Sequence, residues 1–269
     1  MYIGELFSEN ELKERAATLS EEYKVSQPFR HVIFDGLFDL QVLRAVANEF
    51  PENDWIQYDT NSEIKLALED ESRMGPVTRS VIHELNGQRF IKFLEEVTGI
   101  TGLIADPYLQ GGGLHQIRRG GFLKVHTDFD KHDLLHLDRR LNVLVYLNDD
   151  WEESYGGHLQ LWDTEMTTCA ASVLPILGRC VIFLTNDFSL HGHPDPLTCP
   201  VDRSRRSIAM YYYTNGRPPG EVKANHTTVF FKRPGEKIPM MNVKSRLIWT
   251  AKRCVPPILM DALQKHRRS

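Results

Sequence analysis

The apolar period of this 269-residue chain changes at about residue 103, from helical spacing to short strand-like runs, and no other feature constrains the fold as tightly. Upstream of that point, Ser8 and Glu11 have the spacing of a capping box, with Leu12, Ala16 and Leu19 behind them at helical intervals. His31-Val32-Ile33-Phe34 reads as a short strand. An amphipathic helix is predicted from Leu40 to Phe50, with Leu40, Val42, Leu43, Val46 and Ala47 on its apolar side and Pro51 as its stop. Residues 52–75 are polar and irregular, which predicts a loop. Val77 to Leu85 and Arg89 to Val97 follow as helices on either side of Asn86-Gly87.

Downstream, short runs recur: Leu114 to Ile117, Phe122 to His126, Leu141 to Leu147, Leu159 to Trp162, Val173 to Pro175, Cys180 to Leu184 and Ser207 to Tyr213. Gly120-Gly121, Asn148-Asp149-Asp150 and Gly156-Gly157 punctuate them, as expected for a β-sandwich or barrel. Helices first and strands after predict an α+β fold with the helices packed on one sheet. A single domain is expected over 1–269. It comprises a mainly helical layer over 1–102, a strand core over 103–215 and an extension over 216–269, with a short helix from Pro256 to Arg268.

Composition excludes more than it selects. A net charge of -4 exerts no general pull toward nucleic acid or anionic membranes, and the basic run Lys265-His266-Arg267-Arg268 reads as a solvated tail. No stretch approaches the roughly 18 apolar residues of a transmembrane helix. The start, Met1 to Leu6, lacks the basic and apolar regions of a signal peptide. Cys169, Cys180, Cys199 and Cys254 show no C-x-x-C spacing and read as thiols of a reducing compartment. A cytoplasmic location is expected.

The chemistry concentrates at His126-Thr127-Asp128, which ends the run Phe122-Leu123-Lys124-Val125. Residues i and i+2 of a strand share a face, so an imidazole nitrogen and a carboxylate oxygen can reach one point. His191, beyond the run Cys180 to Leu184, is placed to supply a third ligand from a partner strand. Two imidazoles and one carboxylate on one face of iron(II) leave the opposite positions open. With eleven histidines in the chain, His-x-Asp by itself also arises by chance at a surface.

The company of the motif carries further. The segments GGFLKVHTDFD (120–130), LNVLVYLNDDW (141–151), GGHLQLWD (156–163), GRCVIFLTN (178–186), HGHPDPL (191–197) and RRSIAMYYYT (205–214) are in this order in the chain. Together they resemble the 2-oxoglutarate- and iron(II)-dependent dioxygenases, in their prolyl 4-hydroxylase-like branch. The resemblance implies a double-stranded β-helix, or jelly-roll, core. It implies His126, Asp128 and His191 as metal ligands and catalytic centre. It implies Arg206 as the partner of the far carboxylate of 2-oxoglutarate, with the Tyr146 hydroxyl beside it. A guanidinium fork suits that task, because it grips a carboxylate with two charge-assisted hydrogen bonds. Leu144 and Tyr146 share a strand face, giving an apolar wall with one polar tip.

Alternatives stand beside these assignments. His193 competes with His191, and the family pattern favours His191 because the ligand directly precedes a small residue. Arg205 and Arg203 compete with Arg206, and the register of Ser207 to Tyr211 favours Arg206. The gap from His191 to Arg206 is longer than in short family members, with Pro194, Pro196 and Pro200 in it. His115 and Gln116 precede the metal motif where such folds often contact cosubstrate, which makes Gln116 a further candidate. His132 and His136 read as solvated loop residues, His158 as a hydrogen-bonded core or rim residue, and Trp151 and Trp162 as packing residues.

The activity implied is hydroxylation of an unactivated C–H bond, coupled to conversion of 2-oxoglutarate to succinate and carbon dioxide. Dioxygen is the co-reactant and ascorbate an accessory reductant. Related halogenases carry a small residue where Asp128 stands, so hydroxylation is expected. The compact length favours a small or tethered, amino-acid-like metabolite as substrate, with a prolyl residue of a protein or peptide as the alternative. Residues 52–75 and 130–138 are expected to shape access. A non-catalytic jelly-roll binding module would not need the four site positions, and a zinc hydrolase would give no reason for Arg206 or Tyr146.

Overall fold

The computed structural model describes residues 4–218, 221 and 226–236. By its contacts the chain divides into Met1–Pro234 and Gly235–Ser269. The helix expected from Pro256 to Arg268, the basic run at 265–268, Cys254 and most of the extension lie outside the described residues.

The first helix, α1 (Glu9–Val25), opens with the capping box read from the sequence: Ser8 Oγ accepts from Glu11 N, and Glu11 reaches back to Ser8 N. After β1 (His31–Phe34), α2 spans Leu40–Asn48 and ends two residues short of the Phe50 boundary expected for it. The helices α3 (Pro76–Leu85) and α4 (Gln88–Thr98) follow. Gly75, which precedes α3, has no side chain to cap it. Glu49, just past α2, accepts from Val77 N and Thr78 N instead, so one helix end is capped by its neighbour. Gly99 closes α4 in the left-handed conformation at φ 71°.

Residues 52–75 are not the loop the polar composition suggests. They form a hairpin, β2 (Ile56–Asp59) and β3 (Glu63–Leu68), followed by a 3-10 turn at Glu71–Arg73. The reason is tertiary: the edge of β3 opposite β2 pairs with β6 (Phe122–Thr127) at Glu63 and Ile64 and with β5 (Gly113–Arg118) at Leu66, Ala67 and Leu68. The ladder then supplies the backbone partners that local propensity does not promise.

The remaining strands are β4 (Ile104–Ala105), β7 (Asp138–Tyr146), β8 (Leu159–Trp162), β9 (Cys169–Val173), β10 (Cys180–Leu184), β11 (Leu190–His193), β12 (Ser204–Thr214) and β13 (Val229–Phe230). All pairings between them are antiparallel, and they run in the order β1-β10-β7-β12-β5-β3-β6-β11-β8-β9. This is one large curled sheet, the jelly-roll core. Its ends fold over each other, so Phe183 on β10 lies edge-on to His191 on β11 with ring centroids 4.6 Å apart.

Alternation along β7, β10 and β12 divides the layers. Leu141, Val143, Val145, Cys180, Ile182, Ile208, Met210 and Tyr212 face outward and join the helices in the main core around Leu43, Phe90 and Leu94. Burying each large side chain there contributes roughly 1.5–3 kcal/mol. Tyr212 also donates to Leu85 O at the end of α3. The opposite face of the same strands, with Asn142, Leu144, Phe183, Arg205, Ser207 and Tyr211, lines a cavity. The helices thus pack on one sheet, as the order of elements predicts, and leave the other face free.

Candidate active site

His126 on β6 and His191 on β11 are directly opposed across the ladder, with ring centroids 4.4 Å apart. The Nδ1 of His126 lies 2.9 Å from Lys124 O, and that of His191 lies 2.8 Å from Ser189 O. A carbonyl only accepts, so each ring carries its proton on Nδ1 and presents a bare Nε2 lone pair. Both Nε2 atoms converge on the Asp128 carboxylate, at 3.5 Å from His126 and 3.4 Å from His191. Among the described residues, these three side chains form the grouping whose ligand atoms all lie within 4.8 Å of one another.

Electrostatics suit a cation. Burial pushes the Asp128 carboxyl up, but the Arg139 guanidinium beside it opposes this most strongly, and the carboxyl stays well below the usual carboxylate range. Burial lowers His191 to about 4, so its ring is neutral at neutral pH. A carboxylate with two neutral imidazoles is a donor set for a divalent metal of the first transition row.

The cavity has a volume of about 230 Å³ and extends from this triad to Arg205. Arg205 is 4% exposed; its Nε donates to Gly157 O at 2.8 Å and its Nη2 to the Tyr146 hydroxyl at 3.2 Å. Among the described residues it makes no ion pair, and burial lowers its pKa. Burial likewise raises that of Tyr146, which Arg205 opposes. A buried guanidinium with no carboxylate paired to it is costly unless an anion joins it.

Arg206 and Gln116 do not line this cavity. They are register partners on the outer face of β12 and β5. Arg206 donates to Ala47 O and Ser204 Oγ and lies over the Phe50 ring, while Gln116 donates to Ser204 Oγ. The expected register was one residue out. Ser207 pairs with Tyr146 and Tyr211 with Asn142, which puts Arg205 on the cavity face and Arg206 on the helical side. Small Ser207 and Ala209 beside apolar Ile208, Met210 and Tyr212 were the signal for this in the sequence.

His193 lines the cavity beyond a register shift in β11, and neither ring nitrogen has a partner among the described residues. It is not part of the convergent group. His115 lines the cavity too, with Nε2 3.1 Å from Gly111 O, and burial lowers it to about 3. His132 is not solvated. It is fully buried, pairs with Asp106 at 3.2 Å and accepts from Leu134 N and Leu135 N, which ties down the loop after the motif. His158 meets Glu153 at 2.7 Å, and Trp151 and Trp162 are packing residues, as read.

Sequence reasoning missed Arg139 and Asn142. Asn142 Nδ2 donates to Asp128 Oδ2 at 2.7 Å, and Arg139 Nη2 lies 3.2 Å from the same oxygen. Residues three apart should face opposite sides of a strand. The register shift between Tyr212↔Leu141 and Tyr213↔Arg139 turns Arg139 inward.

Comparison with known proteins agrees with this geometry. Residues 112–213 match the sequence model of the 2OG-Fe(II) oxygenase superfamily. Over that stretch, which carries the strand core and the His-Asp-His group, the chain is similar to the 2-oxoglutarate- and iron(II)-dependent oxygenases. No curated protein sequence gives a significant match. Among solved structures, a Trichoplax adhaerens prolyl hydroxylase in complex with a hypoxia inducible factor peptide is similar at TM-score 0.55 and 16% identity, over 76% of this chain and 91% of that one. A Pseudomonas putida prolyl-4-hydroxylase is similar at TM-score 0.52 and 15% identity, over 75% and 100%. HygX from Streptomyces hygroscopicus, with nickel, 2-oxoglutarate and hygromycin B bound, is similar at TM-score 0.50 and 15% identity, over 77% and 95%. At these identities the likeness is one of fold. No helix among the described residues is long and apolar enough to cross a membrane.

Proposed function

We propose that His126, Asp128 and His191 hold iron(II), and that Arg205, with Tyr146 beside it, anchors the far carboxylate of 2-oxoglutarate. The observation that carries this reading is a buried, acid-free guanidinium in the same cavity as a convergent His-Asp-His group. With iron bound, the metal and dioxygen supply the oxidation of a C–H bond, coupled to release of succinate and carbon dioxide from 2-oxoglutarate. The chain supplies position. Arg205 and the Tyr146 hydroxyl orient the cosubstrate, and Leu144, Leu159 and Phe183 form an apolar wall that excludes water from it. Tyr58 and the Glu63–Lys65 ion pair on the hairpin, with Phe129 and Tyr211, border the rest of the cavity and are where substrate would be read.

About 230 Å³ must hold the cosubstrate and the reacting part of the substrate together. That room suits an amino-acid-like or other small or tethered metabolite, hydroxylated at an unactivated carbon. The paired charges of Glu63 and Lys65 suit a zwitterionic or polar group. The test is iron-dependent succinate formation against a panel of free amino acids, polar metabolites and prolyl peptides. Stimulation by amino acids or metabolites supports the reading. Stimulation by prolyl peptides alone assigns a protein-directed hydroxylase. No succinate under any condition assigns a non-catalytic binding module.

A further inference from the structure

We propose that Asn142 is a positioning residue for the metal-binding carboxylate, clamped in turn by Arg139, and that the pair reserves one oxygen of Asp128 for the metal. The inference rests on the iron reading above.

The hydrogen bonds determine the orientation of the Asn142 amide. Its Oδ1 accepts from Arg139 Nε at 3.0 Å and from Arg139 Nη2 at 2.7 Å, with Thr185 Oγ1 at 3.3 Å. A guanidinium only donates, so the amide oxygen must face Arg139 and the amide nitrogen must face Asp128. There it donates to Asp128 Oδ2 at 2.7 Å. Arg139 Nη2 adds a second contact to that oxygen at 3.2 Å. Oδ2, 3.4 Å from His191 Nε2, then has its two lone-pair positions taken by two donors, while Oδ1, 3.5 Å from His126 Nε2, has neither donor on it.

Arg139 is itself immobilised. It is 1% exposed, and its guanidinium lies 3.5 Å from the centroid of Tyr211 and 4.4 Å from that of Phe129. The carboxylate therefore cannot rotate to offer both oxygens without leaving two buried donors unpaired. A metal ligand held to one oxygen leaves more coordination positions to cosubstrate and dioxygen, which is the requirement of this chemistry.

The test compares Asn142→Thr with Asn142→Val, two side chains of nearly equal shape that differ in one hydroxyl donor. Iron(II) titrations of the metal-free protein and the visible absorption band of the anaerobic iron(II)–2-oxoglutarate complex are the readouts, with Asp128→Ala as control. Loss of a group that orients a metal ligand typically costs 10–100-fold in affinity. Asn142→Val is expected to weaken iron(II) binding by roughly that factor and to shift the band, with Asn142→Thr recovering most of both. Equal affinities and bands for the two variants overturn the proposal, because a purely steric role would not tell Thr from Val. If Asp128→Ala binds iron(II) as tightly as wild type, the metal triad itself is wrong and the clamp falls with it.

Discussion

His126 and His191 face each other across β6 and β11 with ring centroids 4.4 Å apart, each locked by a hydrogen bond from Nδ1 to a carbonyl two residues before it on its own chain segment. One ladder thus sets both the spacing and the tautomers of the two imidazoles. The carboxylate of Asp128 completes the group from just past the end of β6.

Removing that carboxylate should remove the activity. Asp128→Ala is expected to give no detectable succinate and to lose iron(II) binding, with the fold retained. Circular dichroism, iron titration and a succinate assay check it. Full turnover at normal iron loading would exclude the triad.

The two neighbouring arginines should separate cleanly. A hydrogen bond to a charged group contributes about 1.5–3 kcal/mol, so Arg205→Ala should raise the KM for 2-oxoglutarate roughly 10- to 150-fold. Arg206→Ala should leave that KM within about twofold, because Arg206 contacts Ala47 O and Ser204 on the far face. Steady-state kinetics of the two variants decide between them. Equal effects would place the cosubstrate elsewhere.

Gly192 sits between His191 and His193, and a Cβ there would lie 2.7 Å from Lys124 O and 2.8 Å from Leu123 O. Those are backbone atoms of β6 and cannot step aside without moving the ladder. Gly192→Ala is expected to destabilise the fold by about 1–3 kcal/mol and to weaken metal binding at the same time. Denaturant melts and iron titration measure the two effects.

In the metal-free protein, stability should fall as pH falls. Burial lowers the folded-state pKa of His191 from 6.5 to about 4. The unfolded chain therefore takes up a proton first, and stability present above pH 6.5 is lost as pH drops toward 4. Melting temperature against pH should show this slope, and His191→Gln should reduce it, with the part due to buried His115 and His193 remaining. Saturating iron(II) should hold wild type up over the same window, because a ligated imidazole cannot take the proton. A flat profile for the metal-free wild type would contradict the burial argument.

Much of the chain was legible from local pattern. The capping box at Ser8, the helices over residues 77–85 and 89–97 and the change to strands all survive in three dimensions. So does the pairing of His126 with Asp128, because residues two apart on extended chain share a face whatever surrounds them. The hairpin over 56–68 was hidden, since its strands owe their existence to β5 and β6, which pair with the edge of β3 opposite β2.

The tertiary structure decided which arginine faces the cavity. Strand periodicity says that Arg205 and Arg206 face opposite ways, but only pairing with β7 says which way is inward. It also brought Arg139 to Asp128, through a register shift that strict alternation forbids. Local rules act over two to four residues and are written in the chain. The choice of face and the place of a bulge depend on hydrogen bonds to strands dozens of residues away, and those exist only once the sheet has closed.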